Sequence, residues 1–379
     1  MVLLTSSGLL LRSFLILLTA DPGFRGERVL KFGIGLPDQR YGDDARQISF
    51  HRRLLESLSQ VPGIEAAGVV ARLPVSGAPF RTSFEIAGSH LPPEAWPASA
   101  INVASAGYFR ALRIPVLAGR GFSPFDTAAA PRVALVNRTF AGHYLSGRSP
   151  LGVRLLLGWT SDLNPPSTAW TIVGIVGDTR QRNLEAAIEP EIVLPVSQYP
   201  LDGSAYTLLT SRGEADLRPA VAAEVRRLDS QLEQVRLRTM ADVVRESLGD
   251  RRLALLLVVL FTASALVLTG VGLYGVASGA VAWRRREIAI RMALGARPRS
   301  VVRMVLGGSI RLGVAGLALG AAAFLGGSRL LRSHLYGVGP SDPWTALAVA
   351  LLLFATALAA GAWPARAAAR TDPTSLLRE

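Results

Sequence analysis

Residues 253–283 contain no charged side chain, and neither do residues 344–363. This constrains the fold more than any other feature, because about 20 consecutive uncharged, mostly apolar residues suffice for a helix to cross a bilayer. Both runs are predicted to span a membrane, and a third span is predicted over 301–328, with Pro298 suited to the start of its helix. The segment Val2–Ala20 (VLLTSSGLLLRSFLILLTA) is apolar but interrupted by Arg12, and no positive residue precedes its apolar run as one would in a signal peptide. It reads as the outer end of a first spanning helix whose beginning lies outside this chain, with an uncleaved signal anchor as the alternative. The expected fold class is α+β. It combines a multi-span α-helical membrane domain, three complete spans plus a partial first one at 1–20, with a large extracytoplasmic α/β domain at 21–250.

The formal net charge of +13 invites a nucleic-acid reading, so the position of the charge matters. Between Ala20 and Asp250, 25 Arg and Lys face 24 Asp and Glu, a net of +1, and the other +12 lies on and beside the apolar segments. A nucleic-acid binder concentrates basic charge on its folded domain, so the distribution speaks against that class. It follows membrane topology instead: seven Arg lie between Arg284 and Arg303 and three in residues 364–379, against two between Arg329 and Pro343. Loop and tail are therefore placed in the cytoplasm and the 21–250 domain outside, with the lipid bilayer as a partner. Trp344 and Trp363 bracket the last span like an aromatic belt. Arg311, inside the third span, is read as snorkelling to the headgroups in preference to lining a transport path, since the spans offer no acidic partner. The chain has no Cys, which excludes disulfides, iron–sulfur clusters and thiol chemistry.

Residues 21–250 show soluble-domain periodicities. Leu30, Phe32, Ile34 and Leu36 alternate as in a half-buried strand; Asp43 or Asp44 then caps a helix carrying Ile48, Leu54, Leu55, Leu58 and Val61; Pro62 and Gly63 stop it before the apolar run 64–71. The order returns with a strand at 206–210, a helix with Leu217, Val221, Val225, Leu228 and Leu232, and a strand at 235–237. Two such units predict one α/β layer, 21–72 and 201–240, split by an insertion at 73–200. The insertion is rich in Pro and Gly, with strand-like runs at 132–137, 170–176 and 191–196, and is expected to be mostly β. Residues 240–252 show helical spacing that could continue unbroken into the apolar run. Residues 253–283 alone would measure roughly 46 Å as a helix, more than the hydrocarbon core of about 30 Å, so a protruding stalk is expected.

Few motifs carry chemistry. Gly174, Gly177 and Asp178 in VGIVGD resemble a phosphate loop only superficially, because the chain lacks GxxxxGK[ST]; a strand ending in a tight turn is the preferred reading. His51, His90, His143 and His334 lack the paired spacing of a zinc site, and neither GxSxG nor HExxH occurs. No catalytic residue or metal ligand is assigned. Gly275 with Gly279, and Gly316 with Gly320, form small-xxx-small pairs that permit close helix packing.

The most charged stretch of the C-terminal third is RRREIAIRMALGA at 284–296. Glu287 and Arg291 at i, i+4 stiffen a helix by roughly 0.3–0.5 kcal/mol, and Gly295 suits its C-terminal turn. A stiff cytoplasmic helix between two spans could take a push from a soluble partner. The alternative is a solvated loop whose arginines only set orientation.

REIAIRMALGA at 286–296, LYGV at 273–276, DPW at 342–344 and PARAAARTDPTSLLR at 364–378 resemble the FtsX-like permease family of ABC transporters. GYFRALRIPVLAGRG at 107–121, VALVNRTFA at 133–141 and TIVGIVGD at 171–178 resemble the periplasmic core domain of MacB-type macrolide exporters and their duplicated permease relatives. The chain departs from the pattern at Ala289, where the family often has Gly. The resemblance implies a bacterial inner-membrane permease domain at 251–379 that works with a second permease copy or half and with an ABC ATPase subunit, and optionally with a periplasmic adaptor. No cofactor is bound directly; ATP and Mg sit on the partner ATPase, so the chain itself is not expected to be an enzyme. The implied activity is efflux by mechanotransmission, in which ATP hydrolysis moves the stalk helices and the external domain. Carried onto this sequence, Arg286, Glu287, Ile288, Arg291, Leu294, Gly295 and Ala296 contact the ATPase, and Pro364, Arg366, Asp372 and Pro373 form the cytoplasmic tail motif. Alternatives are an FtsX-like regulatory membrane protein signalling to a periplasmic enzyme, a lipoprotein-release permease, or a membrane-anchored binding domain without any ATPase.

Overall fold

The computed structural model describes residues 1–158, 169–199, 203–232, 235–284, 287–288, 290, 298–327, 339 and 342–369. Its contacts divide the chain into two units, Asp21–Gly249 on the one hand and Met1–Ala20 with Asp250–Glu379 on the other. In chain order the elements are α1 (Val2–Leu18), β1 (Val29–Gly35), α2 (Asp44–Ser59), β2 (Ile64–Val70), β3 (Phe80–Ile86), β4 (Ala98–Ala104) and α3 (Ala106–Ala111). There follow β5 (Val116–Gly119), β6 (Val133–Asn137), α4 (Arg138–Tyr144), β7 (Arg154–Leu157), β8 (Trp170–Val176), β9 (Glu191–Pro195) and β10 (Gly203–Thr210). The chain continues through α5 (Glu214–Leu228), β11 (Arg238–Thr239), α6 (Met240–Ser247), α7 (Gly249–Trp283), α8 (Pro298–Gly327) and α9 (Pro343–Ala369).

The first part of the Asp21–Gly249 unit is a four-stranded antiparallel layer in the order β11-β1-β10-β2. Two strand–helix–strand units interleaved in this order make the split βαβ, or ferredoxin-like, arrangement. The alternation seen in the sequence sets the buried face: Leu30, Phe32 and Ile34 from β1, with Tyr206 and Leu208 from β10, pack in one core with Phe50, Leu54 and Leu58 of α2 and Leu217, Val221 and Val225 of α5. Phe32 and Tyr206 stack with ring centroids 4.9 Å apart. Asp43 caps α2 by accepting from the amide of Ala45.

The insertion continues the same sheet and then closes on itself. β4 pairs with β3, β3 with β7, β7 with β8, β8 with β6, β6 with β9, and β9 returns in parallel to β4. This six-stranded ring removes its own edges and is filled by Phe84, Ile101, Ala134, Leu155, Trp170 and Ile192, all nearly inaccessible. It meets the antiparallel layer through a single register pair between β2 and β4, Val70 with Ala104. A second joint is α3, which lies against β2 where both backbones carry glycine. A Cβ on Gly68 would stand 2.1 Å from the Tyr108 amide nitrogen, and one on Gly107 would stand 1.8 Å from the Ala67 carbonyl oxygen.

Three details differ from the expectations. The last strand of the layer pairs at Arg238–Thr239, opposite Lys31 and Leu30, and not at 235–237. The reason is that Thr239 doubles as the cap of α6, in a capping box with Asp242 that fixes the chain just before the helix. The helix beginning at Met240 ends at Ser247, with Leu248 as its cap residue, and a new helix starts at Gly249, so it does not continue unbroken into the apolar run. VGIVGD is strand β8 running into an extended segment: the Gly177 amide donates to the Pro115 carbonyl (2.8 Å), and Asp178 accepts from the Thr139 amide (2.9 Å) at the start of α4.

The second unit is helical. Two of its described stretches, Arg251–Trp283 and Pro343–Pro364, are long and apolar enough to cross a membrane, while Val2–Leu18 and Gly313–Phe324 are shorter apolar helices. Pro298 opens α8, as its fixed φ favours.

Candidate functional site

In the helical unit α8 packs chiefly against α9, and α1 lies against both. The buried residues of α1 include Thr5, Leu9, Ser13 and Leu17, four apart, which puts them on one face of the helix. Polar groups on this helix find partners on its neighbours, as apolar surroundings require. Ser7 hydrogen-bonds Thr262 of α7, and Arg251 donates to the Ser13 hydroxyl at 3.1 Å. Arg12, the charge that interrupts the first apolar run, forms an ion pair with Asp342. Asp342 also accepts from the Thr345 amide (2.9 Å) and hydroxyl (2.6 Å), so the DPW motif works locally as an N-cap followed by proline at the first helical position.

Close approach in this unit depends on small residues. A Cβ on Gly8 would lie 2.8 Å from the Thr345 methyl, one on Gly320 2.6 Å from the Met1 side chain, one on Gly270 3.7 Å from Thr356 and one on Gly313 3.7 Å from Ala357. Of the four glycines singled out in the sequence, only Gly320 therefore sits at a contact with another of the described residues. Among the described residues, a Cβ on Gly275, Gly279 or Gly316 would meet nothing within 4 Å.

The outer surface of these helices is apolar. In α7, a helix of 35 residues, Phe261 is 67% and Leu268 70% exposed. The mean hydropathy reaches 2.5, and none of the most apolar 18 residues is buried. Trp344 and Trp363 are both 72% exposed. The 19 residues from one to the other give about 28 Å of helix at 1.5 Å per residue, close to the thickness of bilayer hydrocarbon.

Of the seven residues expected to contact an ATPase, the structure describes two. Ile288 is buried and its amide donates to the Arg284 carbonyl at 2.9 Å, a helical bond, while Glu287 beside it is exposed. Arg286, Arg291, Leu294, Gly295 and Ala296 lie outside the described residues, as do Asp372 and Pro373 of the tail and the side chain of Arg311. Pro364 lies within α9 and is buried, and Arg366 in its last turn is exposed. Sequence reasoning missed the Arg12–Asp342 pair, although a lone Arg in one apolar run and a single acidic residue, Asp342, in the segment 329–343 before the last span were the available signal. His51 is a core residue, its Nδ1 2.6 Å from the buried Tyr206 hydroxyl, and His334 lies outside the described residues.

Comparison with known proteins adds a second line of argument. The family model for the MacB-like periplasmic core domain matches residues 24–228, and that for the FtsX-like permease C-terminal region matches residues 259–373. A pyoverdine export ATP-binding/permease protein of Pseudomonas entomophila is 28% identical over 274 residues, covering 69% of this chain and 40% of that protein. A macrolide export ATP-binding/permease protein of Azoarcus sp. is 28% identical over 291 residues, covering 73% and 42%. The chain thus spans about two fifths of the length of the relatives it matches. Among solved structures, the periplasmic region of MacB from Actinobacillus actinomycetemcomitans aligns at 11% identity with a TM-score of 0.40, covering 60% of this chain and 94% of that one.

Proposed function

Since the chain belongs to the family of the MacB-like periplasmic core domain, joined here to an FtsX-like permease C-terminal region, we propose that it is a multi-pass permease subunit driven by ATP hydrolysis elsewhere in its complex. Its family is that of ABC transporter permeases engaged in efflux. The proposal adds three complete spans and a partial first one in the bacterial inner membrane, the 21–250 domain in the periplasm, and mechanotransmission as the mechanism.

The observation that carries this reading is α7. A helix of mean hydropathy 2.5 whose most apolar 18 residues are unburied within the chain calls for apolar surroundings, which a bilayer supplies. The arginine cluster from Arg284 follows directly upon it, and the balanced domain that ends at Gly249 directly precedes it. In this reading the domain and the arginines lie at opposite ends of one membrane-crossing helix. Motion at one end is then passed to the other through a rigid rod of about 52 Å.

Glu287, Ile288 and their neighbours Arg286, Arg291, Leu294, Gly295 and Ala296 form the surface gripped by the ATPase in this account, with Pro364, Arg366, Asp372 and Pro373 on the same side of the membrane. The chain carries no GxxxxGK[ST] phosphate loop, so ATP and Mg are assigned to another chain or another part of the protein. The open faces at Gly275, Gly279 and Gly316 are where a helix of a second permease copy or half would pack. A periplasmic adaptor is the further partner expected of an efflux complex.

The test is reconstitution with the ATPase that copurifies. Gly295→Trp should leave membrane insertion and ATP hydrolysis in place while abolishing transport. Unchanged transport would remove the coupling role from this segment, and failure to recover any ATPase with the chain would favour a binding protein that works alone.

A further inference from the structure

Glu191, the first residue of β9, is only 4% exposed, and among the described residues no arginine or lysine bonds its carboxyl group. Its partners are neutral donors. Gln181 Nε2 lies 2.8 and 3.0 Å from the two carboxyl oxygens, and Asn102 Nδ2 lies 3.4 Å from one of them. The backbone is held as well, since the Glu191 amide donates to Asn137 Oδ1 at 3.0 Å. Gln181 and Asn102 are themselves 8% and 4% exposed. The group borders a narrow cavity lined by Asn102, Tyr108, Ile114, Gly177, Gln181 and Glu191. Among the described residues, one atom in this cluster has no partner: Gln181 Oε1 is buried and accepts no hydrogen bond. A buried, unpaired amide oxygen costs about 1–3 kcal/mol, so its presence beside a carboxyl group asks for a donor.

A protonated Glu191 is that donor. We propose that Glu191 and Gln181 form a proton-binding site in the α/β domain, in which the amide of Gln181 turns over when the carboxyl group gains or loses its proton. With the carboxylate ionised, Gln181 Nε2 donates to it, as the structure has it. With the carboxyl neutral and the amide turned over, the carboxyl O–H donates to Gln181 Oε1, which gains the partner it lacked, and Nε2 takes the place that Oε1 leaves. One proton is taken from water and one O–H bond forms, and no other reactant is needed.

Burial and the neighbouring carboxylates favour the neutral form. Burial, opposed by the hydrogen bonds from Gln181 and Asn102, pushes the carboxyl up to about 7, and the charges of Asp178 and Glu189 push in the same direction. Tyr108, on α3 across the cavity, has its hydroxyl held well above the ordinary phenol range by burial and by the charge of Glu191. Arg72 gives its carbonyl to Asn102 Nδ2 and turns its guanidinium onto the Phe80 ring, 4.5 Å from the ring centre. Arg182 and Arg81 pair with Glu189, and Thr179 accepts a 3.0 Å bond from Gln181.

The site reaches the rest of the domain through backbone. Next to Gln181, the Arg180 carbonyl accepts from Val75 (2.9 Å), the Arg182 carbonyl accepts from Gly77 (3.1 Å), and the Arg180 amide donates to Pro22 (3.1 Å). Gly23, with φ +83, presses on the Asp178 carbonyl so closely that a Cβ there would lie 1.9 Å from its oxygen. A turn of the Gln181 side chain therefore acts on a segment bonded to the first residues of the domain and to the turn after β2. This inference is independent of the transport reading and would hold for a domain with any function.

The experiment uses the full chain in detergent, carrying isotope-labelled glutamate, and follows the infrared carbonyl band of protonated carboxylic acid against pH. We expect a band that persists well above the range of ordinary carboxyl groups and disappears with a midpoint near 7; Glu191→Gln removes it. Gln181→Leu, which takes away the donors that favour the anion, should move the midpoint upward. Hydrogen exchange at the amides of Val75, Gly77 and Arg180 should change across the same interval in the unmodified protein. The proposal is overturned if no such band is seen at about pH 5.5, above the ordinary glutamate range. It is equally overturned if the midpoint is unmoved by Gln181→Leu or if exchange at the three amides is independent of pH.

Discussion

Replacing Gly107 by alanine should break the joint between the two halves of the α/β domain. The added methyl carbon would stand 1.8 Å from the Ala67 carbonyl oxygen and 2.8 Å from its carbon. Ordinary contact begins near 3.4 Å, so α3 and β2 must separate by roughly 1.5 Å. Neither side can yield by changing a rotamer, because both are backbone. β2 is held by its ladder to β10 over six register pairs, Ala205 with Val70 through Thr210 with Ile64. The helix therefore has to lift, and it carries Tyr108, Phe109 and Ala111, with Leu112 just behind, all buried. Overpacking of this kind costs about 1–3 kcal/mol before any loss of burial. With part of the apolar surface of Tyr108 and Leu112 uncovered as well, a total of about 3 kcal/mol or more is expected, a large share of the stability of a typical domain. The assay is guanidinium unfolding of the detergent-solubilised chain followed by tryptophan fluorescence, since Trp170 lies in the ring core. Gly35→Ala is the matched control, because a Cβ at Gly35 meets nothing within 4 Å. Equal midpoints for the two variants would refute the argument that this interface is closed at backbone level.

Two further expectations follow from the polar contacts. Asp126 is buried, which by itself raises its pKa, but the bonds from Arg120 (2.8 Å to each oxygen) and from the Ser123 amide (2.8 Å) hold it below the ordinary carboxylate value. A depressed folded pKa contributes stability that is full above about pH 4 and is lost as the pH falls through the folded value, so acid unfolding monitored by fluorescence should be less steep in Asp126→Asn. In the helical unit, Asp342→Ala should lower the melting temperature in detergent more than either Asp342→Asn or Arg12→Ala. Asparagine keeps the cap on α9 and loses only the ion pair, and Arg12→Ala does the same; identical melting for Asp342→Ala and Asp342→Asn would show that the cap contributes nothing.

The sequence by itself determined the elements whose cause is local. Uncharged runs too long for a small core became the helices α7 and α9, alternation of Leu30, Phe32 and Ile34 became the buried face of β1, and Asp43 capped α2, because each of these depends on side chains within a few residues of one another. The two strand–helix–strand units were legible for the same reason. Ring closure was not, since nothing along the chain says that β9 returns to β4, and such pairing is decided by which apolar faces can be buried together at long range. Of the candidate residues, the arginine-rich loop stood out by composition, whereas the pairing of Arg12 with Asp342, 330 positions apart, and the burial of Glu191 among neutral donors exist only once the chain has folded. Glu191 in the sequence is an ordinary acidic residue at a strand end. Folding removes its water and supplies amides in place of a cation, and that desolvation, which no neighbour in the chain reveals, is what sets its chemistry.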